Sequence, residues 1–250
     1  MNDLELIVDL HLQGERQGPG SDRETLRALD LIQLPEYGEL KFADIGCGTG
    51  AQTFALAEHT RAEIVAVDIF SEFLSELKKR VETAEFSDQI KTLKSSMDDL
   101  PFGEEAFDVI WSEGAIYIMG FAKGVKAWRK HLKPGGYLAV SEIVWTTKER
   151  PEELEVYWKD HYPEIGLISE KIKILEDSGY SPIGHFVLPA SCWMDHYYHP
   201  MEKRFDVFLD RHDHSKEAKA LVASEKEEIK FYEKHKDHFS YGFFVAKKLN

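Results

Sequence analysis

At 250 residues and 43% hydrophobic content the chain is long enough for one full core with additions. No run approaches the ~18 apolar residues needed to cross a bilayer, and the N-terminus, acidic at Asp3, Glu5 and Asp9, has neither half of a signal peptide, so a cytoplasmic protein without a membrane span is expected. Forty-five acids against 31 bases leave a formal charge of −14, which repels nucleic acid at long range and favours a small-molecule partner.

Residues 3–12 carry Leu4, Ile7, Val8, Leu10 and Leu12 at the spacing of a short amphipathic helix, and QGERQGPGS then breaks it. Ser21 or Asp22 can cap a second helix through Leu26, Leu29 and Ile32. We take 1–36 as an N-terminal helical cap, 37–190 and 240–250 as the core, and 191–239 as an insertion, all in a single domain.

The most informative stretch follows, at FADIGCGTG, 42–50. An apolar run with one acid, Asp44, breaks into Gly46, Gly48 and Gly50, as a buried strand does when it turns sharply into a helix. That helix, Ala51 to Glu58, aims free N–H groups at the turn, so a small ligand is expected there. Cys47 sits inside the turn and Cys192 far from it, which leaves no disulfide framework and no cysteine metal cluster; no metal is expected. A dinucleotide fingerprint would read GxGxxG and needs no acid ahead of it. The GxGxG spacing with Asp44 upstream instead resembles motif I of the class I S-adenosylmethionine (SAM)-dependent methyltransferases, whose ligand carries an ammonium group and no phosphate.

EIVAVDI at 63–69 supplies a second strand ending in Asp68, placed where a carboxylate can accept from both hydroxyls of a ribose; Ile69 is next to it. A helix over 72–85 and a strand over 90–96 lead to SMDDLPF. The resemblance implies that adenine is held there. Ser96 stands at the family's usual aspartate position, so Asp98 is the expected partner of the adenine amino group, with Met97 on the ring. FDVIWSEGAIY, 107–117, reads as a fourth strand ending at Ser112, Glu113 and Gly114, where resembling enzymes touch the methionine part and the substrate. A helix over 122–132 and a Pro-Gly-Gly turn into a fifth strand follow. Alternating strands and helices from Leu40 to Trp145 indicate a parallel sheet covered on both faces. The resemblance therefore implies a Rossmann-like, doubly wound α/β sheet of seven strands with an antiparallel C-terminal hairpin. It also implies that the segment before the first strand folds over the cofactor.

Beyond 150 the resemblance thins. Helices are expected over PEELEVYWKDHYP and, from a Ser169 cap, over ISEKIKILEDSGY; 183–189 and 241–249 are strands. The insertion between those strands opens with SCWMDHYYHP, whose Trp193, His196 and Tyr197 are candidates for a substrate wall or for docking the insertion. RHDHS, 211–215, reads as a solvated turn rather than a metal site. KEAKALVASEKEEIKFYEKHKDHF reads as a charged helix with a sparse apolar stripe at Ala220, Leu221, Ile229 and Tyr232.

The expected activity is methyl transfer from SAM, leaving S-adenosylhomocysteine, to a small molecule. The chain resembles the broad group that includes the ubiquinone and menaquinone biosynthesis methyltransferases. Expected cofactor contacts are Asp44, Gly46, Cys47, Gly48, Gly50, Asp68, Ile69, Met97, Asp98, Ser112 and Glu113. Candidates for a base are Glu113, His11, His161, His196 and Tyr197, and a homodimer stays open. The rival readings are a nicotinamide oxidoreductase, a non-catalytic SAM-binding module and an enzyme that alters the cofactor itself.

Overall fold

The computed structural model describes residues 2–35 and 38–250. The expected boundary between cap and core, at 36 and 37, lies outside the described residues. Helix α1 (Asp3–Leu12) starts at a capping box, in which Asn2 and Glu5 each accept the other's backbone N–H at 2.9 Å. Ser21 caps α2 (Asp22–Leu29) by accepting the Glu24 N–H, and the helix stops three residues before Ile32. Then come β1 (Lys41–Ile45), α3 (Ala51–His59), β2 (Glu63–Asp68), α4 (Ser71–Val81), β3 (Ile90–Lys94), β4 (Phe107–Ser112), α5 (Phe121–Trp128) and β5 (Leu132–Trp145).

The rest of the chain adds α6 (Glu152–His161), β6 (Gly166–Leu167), α7 (Ile168–Asp177) and β7 (Tyr180–Val187). The insertion folds as α8 (Ala190–Trp193), a π-helical turn at Met194–Tyr198, α9 (His199–Glu202), α10 (Phe205–Arg211) and α11 (Lys216–His235), before β8 (Phe239–Lys248) closes the chain.

The strand order is β3-β2-β1-β4-β5-β8-β7, with the two-residue β6 paired to the end of β5 as an eighth strand. Strands β1 to β5 are parallel, and β8 runs antiparallel between β5 and β7. The expected seven-stranded path and its antiparallel pair are therefore present. Chain direction through the sheet reverses at β1, and the crevice above the carboxyl ends of β1 and β4 is where such sheets receive ligands.

Alternation along the strands splits the core in two. Phe42, Ile64, Val109 and Trp111 face Leu56, Leu74 and Leu77, and this side continues to Leu6 and Leu10 of the cap and Tyr232 of the insertion. Ala43, Ile45, Ile110 and Val140 face Phe121, Val125, Trp128 and Leu175. Trp193 fastens the insertion to the sheet: its ring stacks on Tyr232 at 4.5 Å and on Tyr241 at 5.2 Å, and its Nε1 donates to Ser240 at 2.9 Å.

Several local expectations need correction. Pro134, Gly135 and Gly136 lie inside β5, where pairing with β4 jumps from Phe107–Leu132 to Val109–Tyr137. Helix α7 is not capped by Ser169: Leu167 stands at the cap, and Glu170 accepts its N–H at 2.7 Å. Helix α4 ends at Val81, and the chain tightens into a 3₁₀ turn at Ser87–Gln89. On α11 the buried set is Ala218, Val222, Ile229, Tyr232 and His235, while Ala220 is exposed. The turn at 211–215 is only partly solvated, because Asp9 of α1 accepts from Arg211 at 2.6 Å and lies 2.8 Å from His212 Nε2. Among the described residues no group of three metal-ligating side chains gathers there or elsewhere.

Candidate active site

Two backbone bonds hold the glycine turn against β2: the N–H groups of Gly46 and Cys47 both donate to the Val67 carbonyl, at 2.8 and 3.0 Å. Asp68 completes the clasp. One of its oxygens accepts the Gly48 N–H and the other the Phe70 N–H, both at 2.9 Å. Gly46 and Gly48 have φ of +76° and +56°; a Cβ on the first would lie 2.4 Å from the Ala115 side chain and on the second 2.2 Å from Gln17. The backbone at this point is approached too closely for any larger residue.

A cavity of about 530 Å³ opens above the turn. Gly46, Cys47, Gly48, Asp68, Ile69, Met97, Asp98 and Glu113 all line it, so one space gathers eight of the eleven expected cofactor contacts. The other three stand off its wall. Asp44 is fully buried behind it, accepting from Thr53 at 2.6 Å and from Gln52 at 3.2 Å, and Gln52 presents its side chain to the cavity instead. Gly50 begins α3 and abuts Leu77, and the Ser112 hydroxyl is spent on the Ile45 carbonyl at 2.7 Å. None of these three lines the cavity itself. Trp128 fixes the Met97 backbone by donating to its carbonyl at 3.0 Å, while Asp98 pairs with Lys123.

Asp44 and Asp68 respond alike to the closed setting. Burial pushes Asp44 up to about 7, against the bonds from Thr53 and Gln52, with the charges of Glu113 and Asp68 adding to the rise. Burial also raises Asp68, and its backbone bonds partly offset it. Acids therefore surround this space, and the one arginine on its wall, Arg16, is already paired.

That arginine belongs to the cap. Arg16 reaches Glu113 at 3.0 Å and Asp22 at 2.8 Å, and Glu113 also accepts from Thr25 at 2.6 Å and Trp111 Nε1 at 3.0 Å. Gln17 accepts the Thr49 N–H at 2.8 Å and donates to the Gly14 carbonyl at 3.0 Å. Residues 14–20 are thereby stitched across the glycine turn as a strap. Sequence reasoning named neither Arg16 nor Gln17. The only available signal was two polar side chains interleaved with the glycines of QGERQGPGS.

A second cavity of about 370 Å³ lies beside the first, and His11, Gln17, Gly18, Pro19, Gly114, Tyr117 and Tyr197 line both. The base candidates separate accordingly. His11 and Tyr197 stand on the shared wall with their rings parallel at 5.9 Å. His161 lines the second cavity, with Nδ1 2.7 Å from the Tyr157 carbonyl. Glu113 lines the first, with its two oxygens occupied by Arg16, Thr25 and Trp111. His196 is exposed and lines neither cavity. Trp193 borders the second cavity as well as docking the insertion.

Residues 43–140 match the sequence pattern of a methyltransferase-domain family. That stretch is similar to a methyltransferase domain and runs from β1 into β5 of the sheet. It is 36% identical over 103 residues to erythromycin 3''-O-methyltransferase of Saccharopolyspora erythraea, an alignment covering 40% of this chain and 34% of that protein. The chain thus spans about a third of the length of the curated relatives it matches. Two solved structures share the class I methyltransferase fold at low identity. A SAM-dependent methyltransferase from Geobacter sulfurreducens, in complex with S-adenosyl-L-homocysteine, superposes with a TM-score of 0.84 at 16% identity, covering 97% of each chain. The [4+2]-cyclase SpnF superposes with a TM-score of 0.74 at 20% identity, covering 94% of this chain and 85% of its own.

Two outcomes test the site's internal bonds. Arg16→Ala leaves the buried Glu113 carboxylate without its cation and is expected to cost about 3 kcal/mol in urea unfolding; a change below about 0.5 kcal/mol would show the strap to be dispensable. His11 is held down to about 4, mainly by burial and then by the charge of Arg204. The unfolded chain therefore binds a proton that the folded one refuses between about pH 6.5 and 4, and stability is full above 6.5 and falls as pH drops through that window. The loss at pH 5 is at most about 2 kcal/mol, less where cavity water screens the ring. His11→Gln should lose correspondingly less between pH 7.5 and 5, read from urea midpoints, and an identical loss in the two proteins would refute the assignment.

Proposed function

We propose that the chain transfers a methyl group from SAM to a small-molecule acceptor, with the cofactor in the larger cavity and the acceptor in the smaller. The observation that carries this reading is a cavity above a glycine turn bordered by Asp68, Asp98 and Glu113, with Arg16, held by Glu113 and Asp22, as its one arginine or lysine among the described residues. Such a site attracts an ammonium and a sulfonium and repels a pyrophosphate.

In this reading Asp68 accepts from the ribose hydroxyls with the lone pairs left over from Gly48 and Phe70. Met97 packs on the adenine and Asp98 meets its amino group. The backbone of Gly46 to Gly48 lies against the methionine part, with Asp44 acting through Gln52. Bound SAM supplies a methyl on a sulfonium, whose departure as a neutral thioether needs no acid.

The protein's own task is then to position and exclude. Holding nucleophile and methyl in line is worth about 7–11 kcal/mol in model reactions. The strap at 14–20 and the shared wall of His11, Tyr117 and Tyr197 serve that purpose by covering the junction of the two cavities. Where the acceptor must shed a proton, His11 and His161 are the candidates: His11 is kept neutral and its Nδ1 has no partner. The second cavity favours an enzyme over a module that only binds the cofactor. The acidic charge and the lack of any described helix long and apolar enough to cross a membrane are compatible with a cytoplasmic protein and no nucleic-acid partner.

Asp68→Ala is expected to weaken S-adenosylhomocysteine binding at least tenfold in calorimetry while circular dichroism keeps its folded spectrum, with Asp68→Asn intermediate. Unchanged affinity in the alanine variant would remove Asp68 from the ribose.

A further inference from the structure

The smaller cavity is walled mainly by aromatic rings, among them Tyr157, Trp158, Trp193, Phe231 and Tyr241, and yet two carboxylates of α11, Glu225 and Glu228, open into it. They stand one helical turn apart and share a face. Glu228 accepts from the Tyr198 hydroxyl at 2.9 Å. Neither has a lysine or arginine within ion-pair distance among the described residues; the charge acting on Glu225 is that of Glu228, and the charge acting on Glu228 is that of His161. Burial and the charge of Glu228 lift Glu225 to about 7. Glu225 is half-buried and Glu228 stands at the exposed rim, so two carboxylates without a lysine or arginine partner among the described residues border the aromatic wall.

The rest of the wall specifies what would. Electron-rich ring faces attract an organic cation, and among the described residues no third metal-ligating side chain joins the two carboxylates to hold a metal ion. Tyr241 is 8% exposed, lines this space, and its hydroxyl has no hydrogen-bond partner among the described residues; the buried Trp158 Nε1 is likewise unpartnered. Both remain free for a polar group of a guest. The carboxylates border only the smaller cavity, whereas His11, Tyr117 and Tyr197 border both.

We infer that the acceptor carries an ammonium group, anchored between Glu225, Glu228 and the aromatic wall at the side of the smaller cavity that the cofactor cavity does not share. The inference rests on the reading of the two cavities given above. It makes the cation a recognition handle, with the atom to be methylated placed at the shared wall. Glu225 and Glu228 are then specificity-determining residues.

The test uses full-length protein saturated with S-adenosylhomocysteine and three probes of one skeleton: phenethylamine, 2-phenylethanol and phenylacetate. Calorimetry should give phenethylamine at least a tenfold tighter Kd than the alcohol, and no heat from the carboxylate. The Glu225→Gln/Glu228→Gln double variant, and to a lesser degree Glu225→Gln alone, should lose the preference for the amine while binding S-adenosylhomocysteine within twofold of wild type. Equal affinity for amine and alcohol, tighter binding of phenylacetate, no binding of phenethylamine, or a preference that survives in the double variant would each overturn the inference. Failure of the wild-type protein to bind S-adenosylhomocysteine would instead overturn the cofactor reading beneath it.

Discussion

The Asp68 carboxylate is the joint on which the rest depends. It ends β2, and by accepting the N–H groups of Gly48 and Phe70 it fixes both the glycine turn after β1 and the start of α4. Parallel strands alone would bring Ile45 beside Val67. The carboxylate, together with the Val67 carbonyl, sets which backbone donors are consumed there and which surface faces the cavity. A single side chain thus couples the covalent order strand, glycine turn, helix to the shape of the binding space.

Charge then decides what that space can hold. Asp44 behind the wall and Asp68 and Glu113 on it stand around one cleft, and the protein tolerates them by hydrogen bonding and by letting Asp44 rise to about 7. The cap supplies one cation, Arg16, and uses it to bind itself across the turn rather than to leave a positive site open. Covering and electrostatics are therefore the same act: the bond that closes the strap also removes the only arginine on the wall that a phosphate would have used. The insertion does the corresponding work for the second cavity, with Trp193 stacked between Tyr232 and Tyr241.

Much of this was legible in the sequence where physics is local. The glycine spacing, the acid closing EIVAVD and the alternation of strands and helices each report on a short stretch of backbone, and β1, β2 and the helix between them lie where those signals put them. What was not legible depends on tertiary distance. Arg16 and Gln17 sit in a segment whose glycines read as a break, and their partners lie 97 and 32 residues away. Glu225 and Glu228 read as part of a solvated charged face, because nothing in the local pattern tells a helix side open to bulk water from one open to a chamber. His196 misled for the converse reason. It keeps company with Tyr197 and Tyr198 in sequence, but the helical turn carries it outward. Asp44 lies behind Gln52, which donates to it, rather than on the cavity wall.

Calorimetric titration of the purified protein with S-adenosylhomocysteine and, separately, with NADH bears most directly on the nature of the cleft. If carboxylates around a clasped glycine turn select an adenosyl ligand bearing an ammonium group, the first titration gives saturable heat and the second gives none. Saturable heat from NADH with none from S-adenosylhomocysteine would contradict it.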